Sequence, residues 1–293
     1  MKRRWKKFLA GVLSAALALN IAAPLALADS VGCTVVGEKL TGDQNAFSFE
    51  PKISGQVSYL GNTLTFSAPK VALSTIATGV ADPKTPLVTA ADGNDGLSLV
   101  ANGMVNGITD GNGFERPNVI TGKEYSLVNR NWQNQHTGIL GGNLGTTITA
   151  DTKITLDSFQ TGIGGGDVQI DGTVIIKTTT YSGGDVKYGI ANSTTMNPGS
   201  ELEIHAQRFI DKENGHLTYK GGHLLMNMTT GDSKDLGLEN LSIGEDVSTF
   251  WYRTDKNAAF TEIDTSVQEK LDSFSEVKEQ NPVYLELTDV EPD

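Results

Sequence analysis

The sequence predicts a mostly β protein: an irregular right-handed parallel β-helix closed by a C-terminal amphipathic helix. Three observations predict it. Short bursts of alternating apolar and polar residues fill the middle of the chain, a Gly-Ile dipeptide recurs through them, and helical periodicity is confined to the end. Alternation sends apolar side chains to one face of a strand. A repeat whose single unit cannot bury its inner face must stack on copies of itself. An antiparallel β-sandwich with evenly spaced glycine turns is the alternative fold.

The chain opens with Lys2, Arg3, Arg4, Lys6 and Lys7, an apolar run from Phe8 to Leu27, and the small-residue pattern Ala26-Leu27-Ala28 before Asp29. This order of basic, apolar and A-x-A segments is that of a bacterial-type secretory signal peptide over residues 1–28, cleaved between Ala28 and Asp29. A transmembrane anchor is disfavoured by Pro24 and the alanine-rich end. Lys6 and Lys7 interrupt the apolar residues a twin-arginine signal needs, so general secretion is expected. Ser30-Val31-Gly32-Cys33 departs from a lipobox at Ser30, with Asp29 just upstream, so lipidation of Cys33 is the minor reading. A lone cysteine cannot close an internal disulfide, and packing alone must hold the exported fold.

Charge narrows the function. Five of the 23 basic residues and none of the 35 acidic ones lie in residues 1–28, which leaves 18 against 35 and a net charge of −17 for the remainder. That excludes a nucleic-acid binder driven by phosphate neutralisation and suits a solvated acidic surface. With 33 glycines and 7 % aromatics, the balance is that of a turn-rich β protein. No second long apolar stretch follows, so no membrane span is expected after signal cleavage.

Residues 29–96 read as an N-terminal β segment. In it Val57–Leu60 and Thr63–Phe66 flank Gly61-Asn62 as a tight hairpin. Residues 97–254 read as the solenoid, with strands at Leu97–Val100, Val119–Thr121, Thr146–Ala150, Lys153–Leu156, Asp167–Ile170, Thr173–Thr178, Glu201–Ala206, His223–Met228 and Leu238–Ile243. The dipeptides Gly107-Ile108, Gly138-Ile139, Gly162-Ile163 and Gly189-Ile190 are spaced by 31, 24 and 27 residues and open similar segments. Phe260, Ile263, Val267, Leu271, Phe274 and Val277 then step at helical spacing. Thr261 and Asp264 offer an N-cap, and Pro282 ends the segment. Residues 255–281 are thus expected as a helix that lids the last coil against Leu236–Ile243 and Phe250–Tyr252. Residues 282–293 read as an acidic tail, mobile from Glu286.

Chemistry is sparse. His136, His205, His216 and His223 come with no HExxH or paired-carboxylate spacing, so no metal site is expected. Gly162–Asp167 lacks the register and tandem copies of a calcium nonapeptide, and Gly138–Gly145 lacks the lysine of a phosphate loop. There is no GxSxG. Hydrolysis of a polysaccharide would need two facing carboxylates, and Asp151, Asp157, Asp167, Asp171 and Asp185 lie in the right region without a spacing that singles out two. No catalytic residue and no cofactor is assigned. Trp251, Tyr252 and Arg253, beside Phe250, are the candidate ligand-binding residues, since aromatic faces stack on sugars or peptides. A core role at the solenoid end competes with that.

The export segment, the glycine- and threonine-rich coils, and the phrases Tyr188-Gly189-Ile190 and Gly138-Ile139-Leu140-Gly141-Gly142 resemble the surface passenger regions of autotransporter or haemagglutinin-like adhesins. The resemblance covers residues 100–250, without the membrane barrel of autotransporters, and carries over no functional residue. It implies a right-handed parallel β-helix displayed outside the cell. The function expected is therefore a non-enzymatic surface or secreted adhesin-like protein that offers a solenoid face to a glycan or to a host or matrix protein. A carbohydrate-active β-helix enzyme is the alternative.

Overall fold

The structure, a computed structural model of the chain, describes residues 32–76, 85–94, 96–130, 136–178, 186–230 and 235–292. Residues 1–31, where the expected signal segment with Ala26, Ala28 and Asp29 falls, lie outside the described residues, as does Asp185.

Seven short strands lead in: β1 (Cys33–Val35), β2 (Glu38–Leu40), β3 (Gln44–Phe47), β4 (Ile53–Ser54), β5 (Val57–Leu60), β6 (Thr63–Phe66) and β7 (Lys70–Ser74). The next two turns of chain are β8 (Val88–Ala90) with β9 (Ser98–Thr109), and β10 (Phe114–Glu115) with β11 (Val119–Asn129). Four further turns have three strands each. They are β12 (Thr137–Gly141), β13 (Thr146–Ile148), β14 (Lys153–Asp157); β15 (Thr161–Gly165), β16 (Val168–Ile170), β17 (Thr173–Lys177); β18 (Tyr188–Ala191), β19 (Ser193–Met196), β20 (Glu201–Ala206); and β21 (Arg208–Ile210), β22 (His216–Tyr219), β23 (His223–Met228). A 3-10 turn at Leu238–Asn240, β24 (Leu241–Ile243), β25 (Thr249–Arg253), β26 (Thr261–Asp264), helix α1 (Gln268–Glu279) and β27 (Tyr284–Thr288) complete the chain.

Every full turn adds one rung to each of three faces, by parallel pairing throughout. Face one runs β8-β10-β12-β15-β18-β21. Face two runs from β6 through the first halves of β9 and β11 to β13, β16, β19, β22 and β24. Face three runs from β7 through the second halves of β9 and β11 to β14, β17, β20 and β23. The result is a parallel β-solenoid of about six turns. β6 and β7 already pair with β9, so residues 63–74 stack with the coils ahead of residue 97.

The core is a set of aligned ranks. On face one Val88, Phe114, Ile139, Ile163, Ile190 and Ile210 stand in register. On face two the rank is Leu64, Leu99, Ile120, Ile148, Ile170, Met196, Tyr219 and Ile243. Nearly all are fully buried, and each is worth about 1.5–3 kcal/mol. The Gly-Ile recurrence is thereby explained at three of its four positions. A methyl group on Gly138, Gly162 or Gly189 would lie 2.8, 2.5 or 2.4 Å from Leu156, Ile176 or Ile204 on face three, and 2.9 Å or less from the carbonyl of the next coil. The glycine leaves room for a branched side chain across the coil, and the isoleucine fills the face-one rank. Gly107-Ile108 is different. It lies on face three, where Gly107 pairs with Leu127, and the face-one counterpart in the following coil is Gly113-Phe114.

Antiparallel strands close the N-terminal end. β1, itself paired with β2, covers β8; β5, paired with β3, covers β6; and β4 covers β7. The β5–β6 hairpin turns at Gly61 and Asn62, whose φ of 53° and 66° suit an Asn/Gly two-residue turn. At the other end β27 covers β23 antiparallel, followed by β25 and β26. Leu236 O accepts the amides of Phe209 and Ile210 on face one.

The C-terminal stripe divides into two elements. Ile263 belongs to a strand, and the helix begins only at Gln268, with Val267 at its N-cap position and no side-chain cap. Thr261 and Asp264 therefore do not cap it. The step of four from Ile263 to Val267 fits period 2 as well as period 3.6, and pairing of Thr261–Asp264 with β25 makes Ile263 a strand residue, with Phe260 just ahead of the strand. Phe274 is the buried helix residue, in edge contact with Phe250 and tilted against Tyr252, both at 5.1 Å. Lys278 Nζ donates to Leu241 O at 2.7 Å. The acidic tail is likewise not free at its start: Glu286 lies inside β27, 8 % exposed, where Arg253, Tyr284 and His223 hydrogen-bond its carboxylate.

Candidate functional site: the C-terminal cap and the outer faces

β25 carries Trp251, Tyr252 and Arg253, and its alternation separates them. Phe250 and Tyr252 point to the helix side, where Tyr252 packs on Phe274, and Trp251 and Arg253 point the other way. The three do not form one aromatic platform. Arg253 is committed within the cap. Its Nε donates to Glu286 Oε2 at 2.6 Å, a terminal nitrogen donates to Lys256 O at 2.7 Å, and the guanidinium stands 4.5 Å from the Phe260 ring centroid. Tyr252 and Arg253 still border a depression of about 290 Å³ with Thr261, Val277 and Pro282.

Glu286 is the centre of the most connected polar cluster. Besides Arg253, it accepts from the Tyr284 hydroxyl and lies 2.9 Å from His223 Nε2, and His223 Nδ1 stands 3.9 Å from Glu201. Burial pushes the Glu286 carboxyl up, but the hydrogen bonds from Arg253, Tyr284 and His223 outweigh it and hold it below the usual range. Burial, then the bond to Glu286, pushes the Tyr284 phenol up to about 12. With both carboxylate oxygens engaged, the cluster ties β27 to β23 and β25. Only the closeness of residues 201, 223, 253 and 286 in the folded chain makes this network; no local sequence pattern announces it.

The other singled-out residues are dispersed. His205 contacts Glu203 and Asn227, and His216 Nε2 lies 3.0 Å from Ser242 Oγ. His136 is held below its ordinary pKa by burial, which outweighs the opposing pull of Asp110 and Glu115. Among the described residues no group of three or more His, Cys, Asp or Glu is placed to hold a metal ion, and no helix is long and apolar enough to cross a membrane. Asp151 and Asp171 lie at the corner between faces two and three, where Asp171 accepts from Asn197 Nδ2 at 2.7 Å. Asp157 is buried at the end of face three and accepts from Ser158, and Asp167 is exposed between faces one and two. The glycines of Gly162–Asp167 serve close coil stacking: a methyl group on Gly166 would lie 2.0 Å from Gly142 O.

The outer surfaces of faces two and three differ in chemistry. On face three the rank Lys70, Met104, Glu124, Lys153, Thr173, Glu201 and His223 is rich in charge. On face two the outward rank is Thr63, Ser98, Val119, Thr147, Gln169, Thr195, Thr218 and Ser242, and it carries none. A recess of about 490 Å³ lies at the corner joining these faces near the N-terminal end, bordered by Pro69, Gly103, Met104 and Lys123.

The stacked faces define a parallel β-solenoid as the class of this protein. Compared with protein-family models, curated proteins and solved structures, the chain matches none.

Proposed function

We propose that this chain is an exported, non-enzymatic, adhesin-like protein that presents one long side of its solenoid to a glycan or to a host or matrix protein, at the cell surface or after secretion. The observation that carries the reading is the closure of both ends. The first strands of all three faces are covered by β1, β4 and β5, and β27, α1 and the 3-10 turn occupy the other end. Open strand edges invite pairing with other chains, so closing them leaves the flat sides as the surface on offer. The basic-apolar-small pattern of residues 1–28 supports export, and the repeat phrases support a likeness to adhesin passenger regions.

The test is to screen residues 29–293 on glycan and matrix-protein arrays. Saturable binding to one class of ligand is the expected result. Uniform lack of binding on both arrays would overturn the reading.

A further inference from the structure

We infer that face two is the binding side and that its ligand is an uncharged polysaccharide chain lying along the solenoid axis. The inference rests on the adhesin-like reading and names the substrate class for it.

The first argument is charge. The chain carries 20 % charged residues, and design practice places charge at roughly a quarter to a third of surface positions. The face-two rank has none over eight rungs, whereas the first outward rank of face three includes Lys70, Glu124, Lys153 and Glu201, and its second, from Ala72 to Leu225, adds Glu203. Thr alone has a bland explanation, since β-branched residues suit strands, but the same preference acts on both faces and does not remove charge from one. A charged partner docked on face two would lose water and meet no counter-charge. An acidic glycan is also opposed by the protein's negative field.

The second argument is the donor and acceptor inventory. Thr147, Thr195, Thr218 and Ser242 each offer one hydroxyl donor and two acceptor lone pairs, and the Gln169 amide offers both kinds. Sugar hydroxyls have the same dual character, so either side can supply the proton in each bond. Part of the array is already oriented by its neighbours. Within the rank Ser242 Oγ donates to Thr218 Oγ1 at 3.4 Å, and in the adjoining outward positions Thr149 Oγ1 donates to Thr121 Oγ1 at 2.8 Å.

The third argument is geometry. Parallel rungs stand about 4.7–4.9 Å apart, and from Thr147 to Ser242 the rank continues with no register shift. The one irregularity near it, between Gly122 and Glu124, lies at the corner of an earlier coil. A linear polymer advances past the rungs unit by unit, and weak contacts add because each is made at high local concentration. A globular protein partner would instead want deeply buried anchor side chains, and the mostly small hydroxyl residues of this rank supply none.

The experiment is co-sedimentation of residues 29–293 with microcrystalline cellulose, β-chitin and curdlan, with heparin and hyaluronan beads as charged comparators. Three variants accompany the native chain: Thr147→Glu/Thr195→Glu, Thr147→Val/Thr195→Val and, on face three, Lys153→Glu. Native protein and Lys153→Glu are expected to sediment with at least one uncharged polymer, and both face-two double variants to bind it at least tenfold more weakly. The valine pair keeps the strand preference, so it reads the hydroxyls even where the glutamate pair disturbs folding; circular dichroism and melting temperature report folding for each. Binding confined to heparin, hyaluronan or array proteins, or undiminished binding by a folded valine variant, overturns the assignment of face two while the adhesin-like reading stands. No binding to polymers or arrays overturns both.

Discussion

Gly107 and Leu87 share one place in the core: a methyl group on Gly107 would stand 2.4 Å from Leu87 Cδ1 and 2.9 Å from Leu127 Cδ2. Every other rung of that face-three rank bears a side chain, from Leu73 through Leu127, Leu156, Ile176 and Ile204 to Met226 and Leu285. Leu87, fully buried, reaches in from the approach to face one and fills the gap. The atoms in the way are side chains and no backbone, so the site can adapt.

Gly107→Ala should therefore destabilise by about 1–3 kcal/mol through overpacking, and Leu87→Ala by about 2–5 kcal/mol through a cavity. Combined, they should cost clearly less than their sum, since each relieves the other. Chemical denaturation of the four proteins measures the coupling. Strict additivity would show that the two residues do not compete for one place.

The helix should act as a lid through Phe274 more than through Leu271. Phe274 is 2 % exposed and touches Phe250 and Tyr252, whereas Leu271 is only partly buried. Phe274→Ala should lower stability by about 3–5 kcal/mol, and Leu271→Ala by markedly less. Phe274→Asp should promote aggregation, because the last coils lose their cover. Equal melting temperatures for the two alanine variants, or a fully soluble and equally stable Phe274→Asp protein, would refute the lid.

Cys33 supplies a probe of the other end. Its side chain is fully buried at the start of β1, and burial pushes the thiol up to about 12. The thiolate is the reactive species, so the folded protein at pH 8 should react with a disulfide reagent far more slowly than the chain in guanidinium. Native labelling as fast as that of the unfolded chain would mean that β1 is not docked on β8.

What the sequence makes legible is what period and turn chemistry encode. Ile148/Ile170 and Leu202/Leu224 announce their strands by alternation, and Gly61-Asn62 announces its hairpin. The face-one strands are harder to see. β15 reads Thr-Gly-Ile-Gly-Gly, and glycine in a strand looks like a turn until the side chain opposite is known. Gly107-Ile108 misleads for a related reason: the same dipeptide answers to Leu87 on face three, a contact between distant parts of one coil. Ile263 joins the helical stripe because its step of four to Val267 fits either period. Arg253 is singled out for a ligand on composition, and the partner that claims it, Glu286, lies 33 residues away in an apparent tail. The face-two rank is invisible in the linear chain, because its rungs become neighbours only through register.

The Glu286 cluster makes the C-terminal cap sensitive to acid, with a definite sign. Hydrogen bonds from Arg253, Tyr284 and His223 hold its carboxyl below the ordinary range in the folded protein, so the unfolded chain binds the proton more readily. The stabilisation is fully present above the unfolded pKa of about 4.3, and it is lost as the pH falls through the lower, folded value. Glu286→Gln keeps the size of the side chain and removes the charge. At pH 7 it should cost about 1–3 kcal/mol, the scale of hydrogen bonds to a charged group, and between pH 4 and pH 2 the gap from the native protein should close. Denaturation curves recorded across that range, with Phe274→Ala as a comparison whose deficit is independent of pH, separate this effect from general acid unfolding. If native and Glu286→Gln proteins stay the same distance apart from pH 7 to pH 2, the charge of Glu286 does not hold the cap.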